Sequence, residues 1–132
     1  MKSELIISSQ LGNINKVRFF LDHVFAETGL DRSNFNRVFL GLSEAVNNSI
    51  VHGNRLNEEK KVFISIYFYE NQLFVEVKDE GNGFPFECIY DPTCSENLKK
   101  EHGRGIFLIR QMADDIKYSD GGSNVMIKYN LV

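Results

Sequence analysis

Cysteine is scarce in this chain of 132 residues: Cys88 and Cys94 are the only two, too few for a disulfide framework. Both are expected to be reduced, in a cytoplasmic protein. His23, His52 and His102 are scattered without the spacing of a zinc site. No long hydrophobic run is present. The apolar stretch in Met1-Lys2-Ser3-Glu4-Leu5-Ile6-Ile7 is too short for a signal peptide or a membrane span, and reads as a first strand. Excess charge of one sign is missing too: the net charge of −3 implies no general affinity for nucleic acid or anionic membranes. Without repeats or low-complexity tracts, residues 1–132 read as one domain, long enough to bury a core without staples.

What is present is clear periodicity. Asn13 or Asn15 can cap a first helix with core positions Ile14, Val17, Phe20, Leu21, Val24 and Phe25, ended by Gly29. Asp31 or Ser33 caps a second, longer helix running toward Gly53. A polar connection, Asn54 to Lys61, leads to two β-rich runs, Val62 to Tyr69 and Gln72 to Lys78, joined by a tight turn at Glu70-Asn71. Asp79 to His102 lacks periodicity and reads as a functional loop or lid. Gly103-Arg104-Gly105 opens an apolar helix with Ile106, Ile109, Met112, Ala113 and Ile116 on one side. Gly121-Gly122 marks another hairpin turn, and Val125, Ile127, Tyr129 and Leu131 alternate in a last strand. This order predicts a two-layer α/β sandwich, with helices on one face of a mixed, largely antiparallel sheet.

Three blocks carry candidate chemistry. On the second helix, Phe35, Val38, Phe39, Leu42, Ala45, Val46, Ser49 and Ile50 form one apolar stripe at about 100° per residue. Glu44, Asn48 and His52 follow each other one turn apart on another side. A carboxylate beside a carboxamide suits proton transfer and metal ligation; taken alone it reads first as a solvated face. The second block is Asp79-Glu80-Gly81-Asn82-Gly83-Phe84. A strand-end aspartate can accept from an exocyclic amine such as that of adenine, and glycines let backbone approach a flat ligand. The same residues also build plain turns. The third block, Gly103-Arg104-Gly105 before a helix, offers N–H groups to phosphates, or is a flexible loop meeting a helix. A P-loop and a Rossmann fingerprint are both missing.

In order, the three blocks closely resemble the GHKL ATPase superfamily, the Bergerat nucleotide-binding fold, and within it the bacterial anti-sigma-factor serine/threonine kinases. Ser43 to Gly53 matches the N box, Asp79 to Gly83 the G1 box, and His102 to Ile106 with Met112-Ala113-Asp114 the G2 region. The resemblance implies one histidine-kinase-like ATPase domain over 1–132 that binds ATP and Mg²⁺. It implies Glu44 as the general base and Asn48 as the magnesium ligand. Asp79 would hold the adenine amine, with Gly81 and Gly83 at the base pocket. Gly103, Arg104 and Gly105 would cradle phosphates, Arg104 adding a mobile positive charge. Ser123 stands where relatives often have threonine and keeps the hydroxyl. His52 reads as scaffolding, Asn47 as a second-tier contact, and Lys99 and Lys100 as a solvated pair that could approach phosphates.

The implied activity is Mg-ATP-dependent phosphorylation of a STAS-type anti-anti-sigma partner, with a sigma factor or other regulator as the alternative partner. A homodimer fits the resemblance; nucleic acid and membrane are not expected partners. Two other readings stay open from the sequence. One is a nucleotide-responsive module that sequesters a regulator with little catalysis; the other is a switch kinase in a phosphatase-controlling complex.

Overall fold

The computed structural model describes residues 1–81, 109 and 112–131. Strand β1 spans Lys2–Ser8, helix α1 Ile14–Thr28 and helix α2 Phe35–Asn48. A π-helical turn, Ser49–Gly53, continues α2. Then come β2, Lys61–Tyr69, β3, Gln72–Asp79, β4, Asp115–Ser119, and β5, Asn124–Asn130. The strands form one sheet in the order β1-β2-β3-β5-β4. Every pair in it is antiparallel, so the mixed sheet expected above is simpler among the described residues. Tight turns suffice to join β2 to β3 and β4 to β5, and neither hairpin needs a crossover.

Alternation and register together build the core. Leu5, Ile64, Val77, Val125 and Tyr118 lie across the sheet in one row, and Ile66, Val75, Ile127 and Ile116 in the next. These rows, from β2, β3 and β5 above all, are packed under Val17, Leu21, Val24 and Phe25 of α1 and Val38, Leu42, Ala45 and Val46 of α2. Each fully buried side chain of this kind contributes roughly 1.5–3 kcal/mol of transfer free energy. Glu70 and Asn71 both take left-handed backbone angles, as a two-residue hairpin turn twisted with its strands requires. The β4–β5 turn does the same through Asp120, Gly121 and Gly122.

The helix ends follow the sequence with one exchange of roles. Gly29 closes α1 in the left-handed region and Asp31 accepts from the Ser33 N–H ahead of α2, both as expected. Asn13 occupies the N-cap position of α1, but its side chain makes no cap bond. Its amide instead donates to the carbonyl and hydroxyl of Ser8, fastening α1 to the end of β1. Ile116 departs further: it lies on β4, not on the preceding helix. Ile109 and Met112 are helical, and the Asp114 N–H donates to the Lys128 carbonyl, so sheet pairing begins before Ile116 is reached.

Candidate functional site

Alternation along β3 does something the sequence reading stopped one residue short of. Leu73, Val75 and Val77 face the helices, so the next inward position is Asp79. It pairs across to Val62, which pairs with Ile7. A carboxylate therefore stands in the row where a core residue would stand, only 4% exposed.

Helix α2 meets it there. Glu44 is half-buried and Asn48, one turn on, is buried. Beyond Asn48 the helix widens: the Asn54 N–H reaches back to the Ser49 carbonyl at 2.7 Å, the five-residue spacing of a π turn. The straight stripe expected to run from Glu44 through His52 therefore ends at Asn48. His52 is half-buried on the widened turn. Arg55 and Leu56, both left-handed, stop the helix.

The widened turn brings Gly53 against Asp79. A Cβ on Gly53 would collide with the Asp79 carboxylate, and one on Gly81 would collide with the Gly53 carbonyl. Only glycine fits at either place, and the result is a carboxylate walled by bare backbone. Asp79 Oδ1 accepts from the Gly81 N–H at 2.9 Å. Its own N–H donates to the Ser123 carbonyl at 2.9 Å. Oδ2 is buried with no hydrogen-bond partner. Burial pushes the Asp79 carboxyl above its ordinary value; the Gly81 N–H opposes this first, then the Ser49 hydroxyl and the charge of Lys60. The Ser49 hydroxyl is near, but forms no well-made hydrogen bond to Oδ2.

The residue that sequence reasoning passed over is Asn54. Placed in a polar connection, it is 0% exposed. Its amide donates to Ser9 Oγ at 2.8 Å and to the Lys61 carbonyl at 2.9 Å, and its Oδ1 accepts from the Glu80 N–H at 2.9 Å. Glu80 is held a second time, its carboxylate accepting from the Lys61 N–H. Gly53 was also missed as a site element. A glycine ending a helix reads as a stop signal, and only the tertiary fold shows what it faces.

The structure thus brings Gly53, Asp79, Gly81 and Ser123 to one corner, beside the π turn that follows Asn48, with Glu44 one turn earlier on α2. Ser123 contributes its carbonyl to Asp79, while its hydroxyl donates to the Asp120 carbonyl. Gly83, Gly103, Arg104 and Gly105, with Lys99, Lys100 and both cysteines, lie outside the described residues. Among the described residues no group of three or more His, Cys, Asp or Glu could hold a metal. Nor is any described helix long and apolar enough to cross a membrane.

Comparison with known proteins points the same way as the geometry. The model of the histidine kinase-like ATPase domain matches residues 7–129. A Listeria monocytogenes protein named serine-protein kinase RsbW is 30% identical over 120 residues, covering 85% of this chain and 76% of the relative. A Staphylococcus aureus protein of the same name is 26% identical over 136 residues, covering 96% of this chain and 85% of the relative.

Proposed function

This chain belongs to the histidine kinase-like ATPase domain family, and from that premise we propose an ATP-dependent serine/threonine protein kinase whose adenine seat is the Asp79 corner. One observation carries the reading: a buried carboxylate with one oxygen pinned by Gly81 and the other unpaired against the backbone of Gly53. An unpaired buried acceptor is costly, and an exocyclic amine is a donor that would complete it. The bare backbone of Gly53 and Gly81 suits the flat ring beside that amine. The residues present fit an adenine nucleotide.

Mg-ATP, when bound, supplies the phosphoryl group. Asn48 offers one amide oxygen to Mg²⁺, a sufficient protein share for an ion that keeps several waters and phosphate ligands. Glu44, half-buried one turn before Asn48, takes the proton from the attacking hydroxyl of the protein substrate, the usual office of a carboxylate base in such transfers. Ser123, whose carbonyl accepts from the Asp79 N–H, would border the base. Gly81 and Gly83 would flank the ring, and Gly103, Arg104 and Gly105 would hold the phosphates. The protein substrate is a STAS-type anti-anti-sigma protein, and a sigma factor or similar regulator is the competing partner, in the cytoplasm, with the kinase as a homodimer.

The test uses the purified protein, Mg-ATP and a STAS-type anti-anti-sigma protein from the same organism. Labelled phosphate should pass to a serine or threonine of that partner, located by mass spectrometry. Glu44→Gln should slow transfer by about 10²–10⁴-fold while leaving ATP affinity unchanged. Efficient transfer by Glu44→Gln would remove Glu44 from the mechanism. An ATP-dependent complex that never yields a phosphoprotein would make the protein a sequestering module.

A further inference from the structure

Asn54 is the most completely engaged buried polar side chain among the described residues, and it touches none of the groups just assigned. Its neighbours dictate its orientation. The Lys61 carbonyl can only accept, and the Glu80 N–H can only donate. Ser9 Oγ already spends its proton on the Lys60 carbonyl at 2.7 Å, so toward Asn54 it too can only accept. Both amide protons and Oδ1 are therefore used, and a flipped amide would set donor against donor and acceptor against acceptor.

The position of these bonds matters more than their number. Asn54 follows Gly53, whose backbone walls Asp79, and its Oδ1 holds the residue between Asp79 and Gly81. Through Glu80 it fixes the Gly81 N–H, and through that N–H the orientation of the Asp79 carboxylate. We infer that Asn54 is a positioning residue for purine selection: it locks Asp79 so that Oδ1 stays occupied and Oδ2 alone faces a ligand amine. This rests on the adenine reading above. Without the Asn54–Glu80 bond, the Asp79–Glu80 peptide loses its buried anchor, only the Glu80 side chain stays tied to Lys61, and the Gly81 N–H that follows is no longer held in place. The carboxylate then turns with it, and the single aligned acceptor is lost. The Asn54 bonds toward Ser9 and the Lys61 carbonyl tie the end of β1 to the start of β2, and of these the Ser9 bond touches neither Glu80 nor Gly81.

That division of labour gives the test. ATP and purine riboside triphosphate, which lacks the exocyclic amine, are compared by equilibrium binding to the full chain. The wild type should prefer ATP roughly 10- to 100-fold, as expected for a hydrogen bond to a charged group. Asn54→Ser, too short to reach the Glu80 N–H, should bring that preference close to one and speed amide hydrogen exchange at Glu80 and Gly81. Asn54→Asp keeps an oxygen for Glu80, and Ser9→Ala cuts only the far side; both should lower the melting temperature yet keep the preference. Full preference in Asn54→Ser, with faster exchange, would overturn the inference and leave Asn54 purely structural. If Asn54→Ser does not fold, loss of preference in Ser9→Ala or in Asn54→Asp overturns it, and retention in both supports it. A wild type that binds the two nucleotides equally would instead sink the adenine reading itself.

Discussion

Two buried oxygens in the described structure have no hydrogen-bond partner, Asp79 Oδ2 and Tyr129 Oη, and they differ in what surrounds them. They stand at opposite ends of the ladder between β3 and β5: Asp79 ends β3 beyond the Lys78–Asn124 pair, and Tyr129 is paired with Leu73. Each faces a glycine of the α2 segment, Gly53 in one case and Gly41 in the other. At the Asp79 end the second oxygen is pinned and the neighbours are bare backbone. At the Tyr129 end the hydroxyl abuts Gly41, and the ring is closed over by Arg37, 5.5 Å from its centroid. Arg37 itself is held by the Asn130 carbonyl at 2.8 Å and lies 3.7 Å from Asp114. Burial pushes the Tyr129 phenol above its ordinary value, with Arg37 opposing and Asp114 adding to the shift. An unpaired buried oxygen is therefore not a site by itself. What separates the two ends is the rest of the group: the other Asp79 oxygen is pinned by the Gly81 N–H, whereas the Tyr129 ring is covered by Arg37.

The sharpest break in this comparison is Asp79→Asn. On the proposed reading, ATP affinity falls roughly 10- to 100-fold, the worth of a hydrogen bond to a charged acceptor. Stability should move the other way. Because burial raises the Asp79 carboxyl in the folded state, the folded chain holds that proton more tightly than the unfolded chain. The resulting stabilisation is complete below the ordinary carboxylate range and is lost as pH rises through the raised value. At neutral pH Asp79→Asn should melt at a higher temperature than the wild type, and the gap should narrow as the pH is lowered. A lower melting temperature at neutral pH would show that the carboxylate is compensated in place, and the parallel with Tyr129 would fail.

The glycines give the next effect. Gly41→Ala places a Cβ against the Tyr129 hydroxyl and should cost about 1–3 kcal/mol, the usual range for overpacking a core. Adding Tyr129→Phe should return most of it, read as recovery of the denaturant midpoint. If the second change does not rescue the first, the collision is with more than the hydroxyl. The smallest effect is Tyr129→Phe alone: with no partner to lose, the change should stay within about 1 kcal/mol of the wild type. ATP affinity should be untouched, whereas a clear loss of stability would reveal a partner for the hydroxyl.

Sequence legibility followed the same divide. The hairpins were readable because alternation and turn residues agree: Leu73, Val75 and Val77 face the core and Glu70-Asn71 turns as a left-handed pair. The apolar stripe of α2 was readable for the same reason. Ile116 was not, since its spacing from Ile109 and Met112 fits a helix and only pairing with Ile127 puts it on a strand. Asp79 was found, but its burial was not, because a charged residue at the end of an alternating run looks like the start of a turn. Asn54 carried no local signal at all; its burial comes from three segments that meet only in the folded chain. Gly41 did carry one, as a lone glycine inside a helix often marks a close packing contact.

The pairing of β1 has a consequence for the order in which the chain is made. Its partners run from Lys61 to Tyr67, so β1 and both helices are synthesised before the strand that will hold them. During that interval, at a synthesis rate of about 5–20 residues per second, the apolar stripes of α1 and α2 have no sheet to cover. The β2–β3 hairpin, joined by its own tight turn, is the segment whose arrival begins to end that exposure. The same arrival delivers Asp79 to Gly53. Cover for the helices and the meeting of Asp79 with Gly53 thus begin together in the nascent chain, and both are finished only when the last hairpin brings Ser123 and the β5 side chains.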